Sequence, residues 1–450
     1  MRVEQFDVVV LGGGNGGLRL PGRRVRPGCP SRSSKTGSSA APVQTEAARP
    51  KRSSWPPVTR YTKSGVQIPH CISVSKPELD WAALIGREKR LIQGIPERLE
   101  ATLLNRGVEL VRGKGRFVSP NAIRVGDRFL EAKHIVVATG SRPRPLEIPG
   151  AEFLKVSDDL LSAIELPNSI VFIGGGVISL EFGHVYSRAG VEVTILEVLP
   201  QLLPALDSDA VALLEQQSEG IGIQIETGVR IKGIQETEGQ LRVRYANEGG
   251  DRSVDADWIV NGAGRVANID QLDLAAATLD HAGGLIHIDP FLRSTSNPHV
   301  YVCGDVVPNS PQLSPIATYE GNIVGRNIVE GPIHRPDYAS VPNSVYTVPA
   351  LASLGLTERA AREKGCPIRV HKTDMAEWLS ARTYAEPAAW AKIIVDDSSD
   401  QIIGAHLVGH SGEELINIFA LAMAHGITAG DIKNKIYAYP TFSSDIKNLL

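Results

Sequence analysis

A chain of 450 residues is about three times a typical domain, so it has room for two or three hydrophobic cores and is no single small module. Hydrophobic residues at 42%, charged residues at 22% and a net charge of -3 describe an ordinary globular protein with no excess for holding a polyanion, and nucleic acid is not an expected partner. The sequence shows no apolar run of the ~18 residues that a membrane span requires and no basic-then-apolar leader with a small-residue cleavage site, so a cytoplasmic protein off the membrane is expected. Its four cysteines, Cys29, Cys71, Cys303 and Cys366, are scattered. They fit a reducing compartment and give neither a disulfide framework nor the spacing of metal ligands, so no metal is expected.

Phe6 to Leu11 is a short apolar, valine-rich run that empties into Gly12-Gly13-Gly14-Asn15-Gly16-Gly17. It predicts a buried strand entering a tight turn. Gly12, Gly14 and Gly17 have the spacing at which glycines permit the turn, admit a pyrophosphate to the backbone and let the next helix pack closely. Alone, the segment could equally be a glycine-rich loop.

A second such segment follows. Ser169 to Ile173 predicts a strand, Gly174-Gly175-Gly176 a turn, and Val177-Ile178-Ser179 through Glu181 and Tyr186 to Ala189 a helix. The next strand, Val191 to Leu196, ends in Glu197, about 20 residues after the turn, where a carboxylate can accept the adenosine ribose hydroxyls. An acidic residue there favours NADH, because it repels the 2′-phosphate of NADPH; Glu197 could also be an ordinary solvated strand end. Between the two folds lies Ile135-Val136-Val137-Ala138-Thr139-Gly140-Ser141, and near the end of the second lies Ile259-Val260-Asn261-Gly262-Ala263-Gly264-Arg265. Small residues at these strand ends leave room for a cofactor across the crossing point, although either could be a plain strand-to-turn exit. Two dinucleotide folds imply two dinucleotides, and the chemically sensible pair is a mobile nicotinamide feeding a tightly held flavin.

This order of motifs resembles the pyridine nucleotide-disulfide oxidoreductases, the family of dihydrolipoamide dehydrogenase, glutathione reductase and mercuric reductase. The resemblance implies an α/β protein with two Rossmann-like domains, for FAD and NAD(P), and a C-terminal α+β dimerisation domain. On it, residues 1–150 and 265–340 form the FAD domain, 151–264 the NAD domain and 341–450 the interface of a homodimer. Thr295-Ser296-Asn297-Pro298-His299-Val300-Tyr301-Val302-Cys303-Gly304-Asp305 looks like the family's second FAD motif, with Asp305 on the ribityl chain. Gln312-Leu313-Ser314-Pro315 looks like the helix start beneath the flavin ring, where a positive helix end stabilises an anion; read by itself it could be only a Pro-started helix. The cofactor-binding residues implied are Gly12, Gly14, Gly17, Gly115, Thr139, Gly140, Ser141, Gly174, Gly176, Val177, Ile178, Ser179, Glu181, Glu197, Gly264, Asp305, Gln312, Leu313, Ser314 and Pro315. The implied reaction passes hydride from NADH to FAD and on to a disulfide or related acceptor. Ala405-His406-Leu407 falls in the interface-like stretch, and His406 reads as a satisfied core histidine.

The sequence departs from the family twice. Dihydrolipoamide dehydrogenase and glutathione reductase carry a His-Pro-Thr motif with a glutamate three residues on; here Tyr439 replaces the histidine and Ser444 stands at the glutamate. The proton shuttle near neutral pH is therefore absent, and Tyr439 is left as the candidate catalytic residue. The second departure is larger. Residues 19–57 hold seven Arg, seven Pro and seven Ser with one Leu and no Ile, Phe, Asp or Tyr, where the family has a helix, an acidic-ended strand and a Cys-x-x-x-x-Cys helix. That is the composition of a disordered insert, or of a GC-rich gene read out of frame. With each codon shifted back by one base, residues 30–35 permit Val-Ala-Leu-Val-Glu, and residues 39–51 permit Gly-Gly-Thr-Cys-x-Asn-Arg-Gly-Cys-Pro-Ser-Lys. A frameshifted disulfide reductase, a cysteine-free NADH:acceptor reductase of quinones, oxygen or dyes, and a non-enzymatic NAD-binding dimeric remnant are the three readings this leaves.

Overall fold

The computed structural model describes residues 3–18, 40–43 and 78–450. The chain forms two compact units, one of Met1–Pro50, Arg90–Pro143 and Arg265–Tyr338, the other of Lys51–Lys89, Arg144–Gly264 and Ala339–Leu450.

In the first unit, strands Ala40–Val43, Val3–Leu11, Arg128–Val137 and Val300–Val302 run parallel. An antiparallel meander of Gly115–Ser119 and Ala122–Val125 continues the sheet from Arg128–Val137. The register sets Leu11 and Val302 both opposite Val137, so three strands end level, and Gly12, Ala138 and Cys303 leave the same carboxyl edge. Val9, Val10, Leu11, Ile135, Val136, Val137, Val300 and Val302 are buried together. Continuous apolar runs suit strands covered on both faces, and they leave the carboxyl edge as the place for a ligand.

Sequence reasoning finds no strand within 19–57, and this is corrected at Ala40–Val43, which pairs with Val8–Leu11. It is the edge strand of its sheet. Parallel pairing uses only backbone groups, and an edge position tolerates Pro42, so composition hides it. The rest of that stretch, including residues 30–35 and the part of the hidden cysteine motif beyond Val43, lies outside the described residues.

In the second unit, five parallel strands follow the order Ile223–Glu226, Glu192–Leu196, Ser169–Ile173, Trp258–Asn261, Leu154–Lys155. A three-stranded antiparallel sheet of Arg230–Thr237, Gln240–Asn247 and Gly250–Ala256 accompanies them. The C-terminal part is a five-stranded antiparallel sheet, in the order Asn343–Val345, Leu351–Gly355, Ile402–Gly409, Ala389–Asp396, Ile368–Asp374, with helix Gly412–His425 against it. Val345, Leu351, Trp390 and Val408 share one core with Leu180, Tyr186 and Leu214 of the parallel part. His406 is fully buried and satisfied, Nδ1 lying 2.8 Å from the Ser353 hydroxyl and Nε2 3.1 Å from the Leu356 carbonyl.

Candidate active site

The first glycine turn is built by steric necessity. Gly12 has φ 118°, and a Cβ there would stand 2.1 Å from the Ala138 carbonyl oxygen. A Cβ at Gly17 would stand 2.6 Å from the Gly12 oxygen, and one at Gly321, in helix Ser314–Glu330, 2.2 Å from the Gly16 oxygen. Gly13 and Gly14 meet nothing within 4 Å, so the turn's open side is free for a phosphate. Gly321, with Glu320, belongs to the family-like helix start that the sequence offers after Gln312–Pro315, whereas Gly16 was not singled out; a glycine inside a helix, costing about 1 kcal/mol against alanine, was the available signal.

Around this turn the strand ends bring Thr139, Gly140, Ser141 and Asp305 together. Arg265 Nε donates to the Ser141 hydroxyl at 2.8 Å, and that hydroxyl donates to Asp305 Oδ2 at 2.9 Å. Guanidinium donates only, so the relay has one direction, and it leaves the remaining Asp305 lone pairs for a polyol. The Thr139 hydroxyl is buried with no partner among the described residues. An orphaned hydroxyl beside an open phosphate cradle fits a flavin dinucleotide. Gln312 Nε2 donates to the Asp305 carbonyl at 3.3 Å, Leu313 is the N-cap of helix Ser314–Glu330, Pro315 lies in its first turn, and the Asn15 amide bonds the Ser314 hydroxyl. Gly115 opens the meander opposite Val125. Beneath the site, fully buried Glu320 accepts the Gly304 N–H at 2.6 Å and the Ser310 and Tyr338 hydroxyls at 2.5 Å each. Burial raises its carboxyl above the ordinary range against those three donors, and burial with Glu320 nearby pushes the Cys303 thiol up as well.

The second turn repeats the design in the other unit. Gly174 has φ 104°, and its Cβ would stand 2.6 Å from the Gly262 oxygen. A Cβ at Gly175 would lie 2.3 Å from Leu202 Cδ2, whereas one at Gly176 would only touch the Gly262 oxygen, at 3.4 Å. Gly175, missed from the sequence, is limited by side chains that can shift, less strictly than Gly174 with its positive φ and backbone neighbours. Glu197 is buried, and its carboxylate accepts the Gly175 N–H on one oxygen and the Leu199 N–H at 2.8 Å on the other. Each oxygen keeps a lone pair, so the group is fixed in place and still able to accept a diol. Ser179 is fully buried with its hydroxyl bonded to the Gly174 carbonyl, which makes it a brace of the turn. Val177 is exposed and Ile178 half-buried at the start of helix Val177–Arg188; the Glu181 carboxylate accepts the Tyr346 N–H at 3.0 Å. Gly264 has φ 96° and its carbonyl accepts the Arg144 N–H at 3.0 Å.

At the chain end Tyr439 is 76% exposed. Ser444, at the expected glutamate position, is buried, and its N–H is capped by the Thr441 hydroxyl at 3.1 Å, so it serves the short helix Phe442–Asp445. Of the cysteines, Cys303 and Cys366 are free, and Cys29 and Cys71 lie outside the described residues.

Comparison with known proteins agrees with this geometry. Residues 6–321 match the family described as pyridine nucleotide-disulphide oxidoreductase, and residues 341–450 match its dimerisation domain. Dihydrolipoyl dehydrogenase of Geobacillus stearothermophilus is 32% identical over 378 residues, covering 82% of this chain and 79% of the relative. The mitochondrial dihydrolipoyl dehydrogenase of Pisum sativum is 29% identical over 458 residues, covering 99% and 90%. The solved HOCl-induced flavoprotein disulfide reductase RclA from Escherichia coli, as its Cu(II) complex, shares the fold with a TM-score of 0.85 at 22% identity, covering 99% of each chain. No helix among the described residues is long and apolar enough to cross a membrane. The chain belongs to the pyridine nucleotide-disulphide oxidoreductases, FAD-dependent NAD(P)H oxidoreductases that pair as homodimers through the C-terminal domain.

Proposed function

We propose that the lineage of this chain took hydride from NADH in the cytoplasm and delivered it through FAD to a disulfide or related acceptor, with 1–150 and 265–340 as the FAD domain, 151–264 the NAD domain and 341–450 the interface. The observation that carries this is the pair of glycine turns, each at the carboxyl edge of a parallel sheet, one facing an orphaned hydroxyl and the other a fixed carboxylate. Bound FAD supplies an acceptor for two electrons. The residues' own parts are positional. Gly12 to Gly17 cradle phosphates, Asp305 is aimed by Arg265 through Ser141, and the N-terminus of helix Ser314–Glu330 offers partial positive charge. Gly174 and Gly176 receive the second dinucleotide, and Glu197 takes its ribose hydroxyls. No Arg or Lys occurs from 198 to 207 to welcome a 2′-phosphate, which supports NADH over NADPH.

The onward half-reaction needs a cysteine pair, and the sequence has no Cys-x-x-x-x-Cys. We infer that residues 19–57 are an out-of-frame reading of that motif. Their composition supports this, and so do the two motifs their shifted codons permit in order, the acidic-ended strand at 30–35 and the cysteine pair at 39–51. As written, residues 30–35 carry no carboxylate, where the shifted codons permit the acidic end of the strand. Loss of the cysteine helix and of this carboxylate is expected to weaken FAD retention. The test is the visible absorption spectrum of the purified chain before and after anaerobic NADH, with resequencing of the gene. The expected result is a nearly colourless protein and a gene carrying the displaced frame. A flavin band that NADH bleaches, on a gene confirmed in frame, would overturn the inference and favour the cysteine-free NADH:acceptor reductase.

A further inference from the structure

His410 follows strand Ile402–Gly409 with φ 52°, and only 1% of it is exposed. Its Nε2 lies 2.7 Å from Asp445 Oδ2, which also accepts the Ser380 hydroxyl at 2.5 Å. A carboxylate only accepts, so the proton sits on Nε2 and Nδ1 is left as an acceptor. Nδ1 is buried and has no hydrogen-bond partner among the described residues. Phe442 meets the imidazole edge-on with ring centres 4.3 Å apart, and Phe442 in turn packs on Tyr384 at 5.0 Å. Asp445 and Phe442 both belong to the short helix after Tyr439-Pro440, so one buried imidazole grips the segment that carries exposed Tyr439.

We propose that His410, Asp445 and Ser380 form a latch that positions the chain end bearing Tyr439 and that opens in acid. Protonating the ring places a second N–H on Nδ1, a buried donor with nothing to receive it, whereas a released segment hydrates both nitrogens. Asp445 is the charged group that faces the ring; Ser380, from helix Leu379–Tyr384, and Phe442 are the neutral groups packed on it. Burial lowers the affinity of His410 for a proton and Asp445 only partly restores it. Below about pH 6.5 the released state therefore takes up a proton that the latched state refuses, and release gains up to about tenfold per pH unit. The latch stands whether or not Tyr439 takes part in chemistry.

Hydrogen exchange of the full chain at pH 7.5 and 5.5, corrected for intrinsic rates, tests it through peptides spanning 436–450, with 169–196 as the internal reference. In the wild type the chain end should be protected at pH 7.5 and exchange roughly tenfold faster at pH 5.5 while the reference is unchanged. His410→Gln, whose amide still donates to Asp445 and does not titrate, should keep the protection at both pH values. Equal acid release in His410→Gln and wild type, or unchanged wild-type protection at pH 5.5, would overturn the proposal. Should the variant misfold, the ring nitrogen signals of wild-type His410 decide: a neutral Nε2–H form that persists until the segment opens supports the latch, and a free titration near 6.5 with the segment still protected refutes it.

Discussion

Replacing Lys392 with methionine removes a buried charge on which three carboxylates converge. Its side chain is 3% exposed, and Nζ lies 2.9 Å from Asp207, 2.8 Å from Asp209 and 3.2 Å from Glu358. Their losses are unequal. Asp209 keeps Lys372 at 2.9 Å and Glu358 keeps Arg362 at 2.8 Å. Asp207, itself buried, is left with only the long N-cap bonds from the Asp209 and Ala210 N–H groups at 3.2 and 3.4 Å. Breaking one side of a buried pair costs about 3–5 kcal/mol, because the remaining charge stays buried without compensation. For a unit of this size that is roughly 6–10 °C in the melting transition, near 2 °C per kcal/mol. Adding Asp207→Asn should return most of the loss, since Asn is an equally good N-cap and carries no charge, giving a coupling of about 2–3 kcal/mol. Calorimetry of the single and double variants measures both. A single variant that loses less than about 1 kcal/mol, or a double variant no more stable than the single, would refute the assignment of the cost to Asp207.

The remaining expectations can be stated together. Gly12→Ala should disrupt folding around the first turn, because its Cβ meets the Ala138 oxygen at 2.1 Å, whereas Gly13→Ala should fold normally and lower only FAD affinity; melting and flavin titration separate the two. Glu197→Gln should weaken NADH binding by about 1–3 kcal/mol, seen by nucleotide fluorescence titration, and a variant that binds as tightly as wild type would remove Glu197 from the ribose site. Glu320→Ala strands the Gly304, Ser310 and Tyr338 donors and should cost the first unit about 3 kcal/mol or more in denaturant unfolding. His184, His406 and His410 all hold protons less readily than a free imidazole, chiefly through burial. Their folded forms stay neutral where the unfolded chain charges, so stability of the second unit is full above about pH 6.5 and falls below it by up to about 1.4 kcal/mol per pH unit for each. His184→Gln should flatten that slope in pH-dependent unfolding, and an unchanged slope would exclude His184 as a source.

The sequence by itself determined what is local. A β-branched run entering glycines dictates a buried strand and a tight turn, because Gly12 and Gly174 take a φ that other residues avoid, and both turns were legible from it. Even there it overlooked Gly175, whose limit is the distant Leu202 side chain, and Gly16, whose limit is Cys303 and Ala317. The strand Ala40–Val43 was illegible because its partner's backbone makes it a strand while its composition argues otherwise. Tertiary structure alone decided which groups became partners across long separations: Lys392 with Asp207, Arg265 with Ser141, His410 with Asp445. Burial then sets the strength and protonation of each pairing, and burial belongs to packing, which no single segment encodes.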